Sequence, residues 1–189
     1  MSDKPTRLSY GSNDLNFGDL RVPESRGPHP VVVSIHGGFW MSSFGLDLHD
    51  EICASLTDAG AATWNIEYRR IGNNGGGFPG TFIDVGRAID FLFDIAPLHN
   101  LNLKRVVTIG HSAGGHLALW AAARQKFSIT DPLIGGIESR LELRAAVSLA
   151  GVSDLKYAWQ KKLGGGVVQA LIGGSPEKFP ARYASASPF

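Results

Sequence analysis

Two apolar runs, Val31-Val32-Val33-Ser34-Ile35 and Arg105-Val106-Val107-Thr108-Ile109, stand out along the chain. Continuous β-branched character without alternation predicts strands buried on both faces. Residues 61–66 and 145–149 predict two more strands, and residues 6–10 and 15–22 two short N-terminal ones separated by Gly11-Ser12-Asn13-Asp14. Residues 23–30 form a turn-rich connection. Between the strands the period changes to that of a helix. Leu48, Ile52, Leu56 and Ala59 share one face of a helix predicted over 47–59, with Asp47 as its cap and Gly60 as a left-handed stop. Val85, Ile89, Leu92 and Ala96 form the stripe of a second helix. Thr81 and Asp84 open it in the manner of a capping box, Pro97 marks its end, and Asp90 and Asp94 fall on its solvated face. An alanine-rich helix runs from Ser112 to about Lys126, and residues 151–189 read as loops and short helices. Strands alternating with helices predict an α/β fold, a mostly parallel sheet with helices on both faces.

Composition narrows the class. A length of 189 residues suits one domain, and 43% hydrophobic with 19% charged residues excludes general disorder. A net charge of +1 provides no basic field for nucleic acid. No apolar run reaches the ~18 residues of a membrane span. The first residues, Met1-Ser2-Asp3-Lys4-Pro5, lack the apolar core of a secretion signal, so a cytoplasmic location is expected. The single cysteine, Cys53, can form neither an internal disulfide nor a zinc cluster and reads as a small apolar filler. Glycine is in excess, at 24 residues, and its positions carry the chemistry.

Gly110-His111-Ser112-Ala113-Gly114 fits G-x-S-x-G between a predicted strand and a predicted helix. A sharp strand-to-helix turn presents a serine hydroxyl above the sheet, in a strained backbone that leaves no room for side chains two residues on either side. The helix that follows aims its positive end at the site. His36-Gly37-Gly38-Phe39-Trp40 follows the strand 31–35. Acyl transfer needs at least two N–H donors aimed at a developing oxyanion. Gly37 or Gly38 would supply one and Ala113 the other. Phe39, Trp40, Tyr68 and Phe78 are candidates for a substrate pocket taking an apolar or aromatic group, although the same residues could be ordinary core.

These motifs, with Glu67-Tyr68-Arg69 and Ser148-Leu149-Ala150-Gly151-Val152-Ser153-Asp154, resemble the esterase and lipase branch of the α/β-hydrolases, which includes the hormone-sensitive-lipase-like enzymes. The similarity runs from about Leu15 to the end of the sequence. It departs from the lipase-like H-G-G-G pattern at Phe39, and the H-G-G-aromatic-Trp form is more similar to arylformamidases and small carboxylesterases. The resemblance implies an α/β-hydrolase fold, Ser112 as catalytic nucleophile, and Gly37, Gly38 and Ala113 as oxyanion-hole donors. It also implies a small-molecule ester or aryl formamide substrate and neither a metal nor an organic cofactor.

A serine nucleophile needs a histidine base and an acid that orients it, and in this fold both follow the serine in the chain. All six histidines (29, 36, 49, 99, 111, 116) lie at or before position 116. His36 is expected to buttress the oxyanion loop and His116 to pack under the turn. Asp154 is better placed for a loop-stabilising role than for catalysis. The strand 145–149 has no predicted partner on its far side. The chain is therefore expected to be C-terminally incomplete, with about two strands, the acid and the histidine beyond it. The alternative is a catalytically inactive member of the fold that binds a small ligand. A dinucleotide-binding domain is disfavoured, because neither G-x-G-x-x-G nor a Walker lysine follows a strand.

Overall fold

The apolar runs become the centre of a six-stranded sheet in a computed structural model that describes residues 4–188. The strands are β1 (Thr6–Ser9), β2 (Phe17–Arg21), β3 (His29–Ile35), β4 (Ala62–Ile66), β5 (Leu101–His111) and β6 (Ala145–Leu149), arranged in the order β1-β2-β4-β3-β5-β6. β4, β3, β5 and β6 are parallel, while β1 and β2 add an antiparallel edge. The helices are α1 (Asp50–Asp58), α2 (Gly80–Asp90), α3 (Leu92–His99), α4 (Ala113–Ala123), α5 (Leu155–Gln160), α6 (Val167–Ile172) and α7 (Pro180–Ala186).

Register assigns each face. Val33 lies beside Trp64 and Thr108. Trp64 Nε1 donates to Ala88 O on α2 at 2.8 Å and Thr108 Oγ1 to Ala118 O on α4 at 3.2 Å, so α2 and α4 cover this face. Ser34, Asn65 and Ile109, one position on, face the other way. Ser34 Oγ hydrogen-bonds His49 Nδ1 at 2.8 Å and Asn65 Nδ2 donates to Leu46 O at 2.8 Å, so the 3-10 turn Leu46–His49 leading into α1 lies on this side. The cover ends before β6. Val147 and Leu149 point to the α1 side and are 42% and 41% exposed, and the far edge of β6 has no strand partner among the described residues.

Several local expectations are corrected. Asp47 caps nothing with its side chain, because the chain enters α1 through the 3-10 turn. That entry rotates the helix, so Cys53 and Thr57 are buried while Leu48 and Ala59 are exposed. Thr81 and Asp84 form no capping box. Thr81 Oγ1 accepts from Gly77 N at 3.0 Å and donates to Arg69 O, and Asp84 turns to Arg69. The helix predicted over 81–96 breaks at Phe91 into α2 and α3, and Pro97 lies inside α3, where it forgoes only one backbone bond. Asp90 is not solvated. It pairs with both terminal nitrogens of buried Arg124 and accepts from Leu141 N at 2.8 Å.

Asp84 is the most committed of these carboxylates. It has no exposed surface and accepts from Arg69 N at 3.0 Å, Nε at 2.7 Å and Nη2 at 2.7 Å, which fastens the glycine-rich loop 69–80 to α2. Removing one member of such a pair strands the other. Asp84→Ala is expected to lower the free energy of unfolding by about 3 kcal/mol in urea titrations. A loss below about 1 kcal/mol would show the pair to be dispensable.

Candidate active site

Ser112 is the single residue between β5 and α4, at φ 54° and ψ −115°. A non-glycine residue in this region costs on the order of 1–3 kcal/mol and persists only where its surroundings enforce it. Ser112 N donates to Leu149 O at 2.8 Å and His116 N donates to Ser112 O at 3.0 Å. A Cβ on Gly110 would collide with the backbone of Gly114, and one on Gly114 with the carbonyls of Ile35 and His36. The two glycines are thus required by close backbone approach. Ala113 opens α4, so its N–H lacks a partner within the helix and points towards the site.

The His36–Trp40 loop lies directly against this turn. A Cβ on Gly37 would sit 2.6 Å from His111 O. Gly38, Phe39 and Trp40 all have positive φ, at 102°, 54° and 55°, and a Cβ on Gly38 would run into Phe44. Among the described residues, the Gly37 and Gly38 N–H groups donate to no protein acceptor. Ser112 and two sets of free backbone donors therefore share one end of the sheet, the arrangement that an acyl-transfer centre needs.

A buried polar network holds the loop. His36 has no exposed surface, and its ring nitrogens lie 2.9 Å from Gly37 O and 2.9 Å from Glu67 Oε1. Tyr68 stacks on the His36 ring, with centroids 4.5 Å apart, and donates its hydroxyl to His36 O at 2.8 Å. Burial, reinforced by the Glu67 charge, pushes the Tyr68 hydroxyl far above its ordinary range, so it stays a donor. Glu67 also accepts from Tyr68 N at 2.9 Å and Leu46 N at 3.3 Å and lies 3.1 Å from Arg70 Nη1. His36 buttresses the loop as the sequence implies. Sequence reasoning missed Glu67 as its partner. The available signal was position: Ile35 and Ile66 are in register, so the residues after them come out side by side.

The pocket candidates separate into two kinds. Trp40 and Tyr68 have no exposed surface and spend their polar tips internally, so both are placed as core rather than as pocket wall. Trp40 Nε1 donates to His116 Nδ1 at 3.2 Å, and His116 Nε2 donates to Ala186 O at 2.8 Å, so His116 packs under the turn. Phe39 is 41% exposed. Phe78 is half-buried against Phe82 and Arg182, in a groove it shares with Phe127, Pro132 and Ala184. Asp154 caps α5, accepting from Tyr157 N at 2.9 Å. No described side chain hydrogen-bonds Ser112 Oγ, and the six histidines supply no base to it. His111 is exposed, and His49 is bonded to Ser34.

The two buried imidazoles make stability depend on pH. Burial pushes His116 down to about 4, outweighing its bond to Ala186 O. It does the same to His49, also to about 4, helped by nearby His36 and His111. Both rings are neutral when folded, whereas an unfolded histidine takes a proton near its ordinary value of 6.5. Their contribution is complete above that value and is lost as pH falls from about 6.5 towards 4. For His116 alone the loss is roughly 3 kcal/mol. Melting temperatures should fall steeply across this window, and less steeply in a His116→Gln variant, where only His49 keeps the effect. A flat wild-type profile would contradict the assignment.

Three solved structures are informative neighbours. A bifunctional GH43-CE protein from Bacteroides eggerthii is 26% identical, with a TM-score of 0.82 over 96% of this chain and 28% of that one. Esterase B from Lactobacillus rhamnosis, inhibited by a C6–C4 SN3 compound, is 20% identical, with a TM-score of 0.79 over 100% of this chain and 60% of that one. A bacterial heroin esterase is 26% identical, with a TM-score of 0.57 over 65% of this chain and 39% of that one. The chain thus spans less than two thirds of the length of each of these neighbours. No curated protein matches. The shared architecture is the α/β-hydrolase fold of esterases. The BD-FAE family model matches residues 19–189, nearly the whole chain, and the protein belongs to that family.

Proposed function

We propose that the protein is a serine hydrolase that cleaves a carboxylic ester, or an aryl formamide, through an acyl-enzyme. The observation that carries this reading is the strained Ser112 turn set against the free N–H groups of Gly37 and Gly38. In this reading Ser112 Oγ attacks the substrate carbonyl. The carbonyl oxygen becomes an oxyanion held by Ala113 N–H and by a donor from Gly37 or Gly38. The tetrahedral intermediate collapses to an acyl-serine and expels the alcohol or amine, and water then releases the acid. The His36–Glu67–Tyr68 network fixes the loop so that the donors need not reorganise.

Proton transfer requires a histidine that the described residues do not bring to Ser112. We propose that it lies in sequence following Phe189, together with its acid and the strands that cover β6. The exposed Val147 and Leu149, the edge of β6 left unpaired among the described residues and the partial coverage of the neighbours support this. An extended chain assayed on p-nitrophenyl and aryl esters, with N-formylkynurenine as the formamide, tests the reading. Ester turnover alone selects the carboxylesterase form, and formamide turnover the arylformamidase form. Binding without turnover of any substrate would select an inactive ligand-binding member of the fold.

A further inference from the structure

Phe39 leaves the loop at positive φ directly after Gly38, and 41% of its surface is open. Its ring does not stand alone. The 3-10 turn Leu163–Gly165, between α5 and α6, passes behind it. A Cβ on Gly164 would lie 2.9 Å from Phe39 Cδ1, 3.0 Å from Cε1 and 2.7 Å from Val167 Cγ1. The neighbouring Gly165 has a similar φ, 69° against 60°, yet a Cβ there would meet nothing within 4 Å. The turn is anchored, because Val167, Val168, Leu171 and Ile172 of α6 are buried and Phe78 N donates to Leu171 O at 2.7 Å.

From this contact we infer that Gly164 and Phe39 form a specificity-determining wall, which rests on the hydrolase reading above. Gly164 lets the ring lie back against the turn, and that recess leaves room beside the Gly37–Gly38 donors for an apolar group of the substrate. The atoms nearest a methyl at Gly164 are those of the ring and of Val167. Val167 is anchored in the core, so the ring moves forward, towards its open side and into the substrate's space.

The effect follows size. In the extended chain, Gly164→Ala should lower kcat/KM for bulky esters about fivefold or more relative to acetate esters. It is read in two series, one varying the acyl group and one the alcohol, and the change should appear in at least one of them. Gly165→Ala shares the backbone strain but not the contact, so its selectivity should match the wild type. In a Phe39→Ala background the Gly164→Ala shift should disappear, a non-additivity that general destabilisation does not produce. Equal shifts from both glycine variants, no shift from Gly164→Ala, or a shift that survives Phe39→Ala would each overturn the wall. If the wild type neither hydrolyses esters nor reacts with a phosphonate, the hydrolase reading fails separately. The wall is then read from ligand-observed NMR with benzyl alcohol, whose binding should weaken in Gly164→Ala and hold in Gly165→Ala. Any other pattern rejects it.

Discussion

Ser112→Ala in an extended, active chain is expected to lower kcat by about 10⁴- to 10⁶-fold and to leave the fold intact. Alanine removes the attacking oxygen but keeps a Cβ, so the backbone at φ 54° is no more strained than before. Residual turnover above water would come from the Gly37, Gly38 and Ala113 donors acting on bound substrate. The variant should therefore retain substrate affinity, with KM changed far less than kcat. Retention of more than about a tenth of the wild-type rate would remove Ser112 from the mechanism, since a missing nucleophile leaves far less.

Gly114→Ala is the second large effect, and it acts on the backbone. The added methyl would collide with the carbonyls of Ile35 and His36. Those groups belong to the end of β3 and to the loop carrying the proposed oxyanion donors, so neither moves without dragging the centre of the sheet or the site. Overpacking against soft side chains costs about 1–3 kcal/mol. Against fixed backbone at the elbow the loss should exceed about 4 kcal/mol, the range reserved for named structural faults. Gly86→Ala is the matched comparison, because the new methyl in the middle of α2 would meet only Arg124 Nη1, at 3.1 Å. That substitution should change stability by less than about 1 kcal/mol, since alanine is also the better helix former. Urea unfolding of the two variants side by side gives the contrast, and equal losses would refute the close-approach account of the elbow.

The features legible in the sequence are those whose cause is local. The uninterrupted apolar runs at 31–35 and 105–109 need cover on both faces, and register and hydrogen bonds show α2 and α4 on one face and the α1 segment on the other. The spacing of Gly110, Ser112 and Gly114 states its own steric requirement, and the backbone meets it. What escaped were choices made between distant residues. Thr81 and Asp84 satisfy the local rule for a helix cap, but Arg69, fifteen residues away, offers Asp84 two charged hydrogen bonds and wins. Asp90 likewise turns from solvent to Arg124. A period of 3.6 identified the first helix but not its rotation, because the 3-10 turn before it shifts the phase and buries Cys53 and Thr57. Trp40 and Tyr68 sit beside chemistry in sequence and under it in space. Each carries a polar group that bonds a buried partner, a role that composition alone does not distinguish from a pocket wall.

In the proposed mechanism Ser112 is a nucleophile presented by the turn, and its base comes from sequence after Phe189. The decisive measurement is reaction of an alkyl fluorophosphonate with the chain extended beyond Phe189, followed by peptide mapping. One stoichiometric adduct is expected on Ser112, absent from Ser112→Ala and slowed in Gly114→Ala. An adduct on a different residue, or none in a chain shown to be folded, would contradict it.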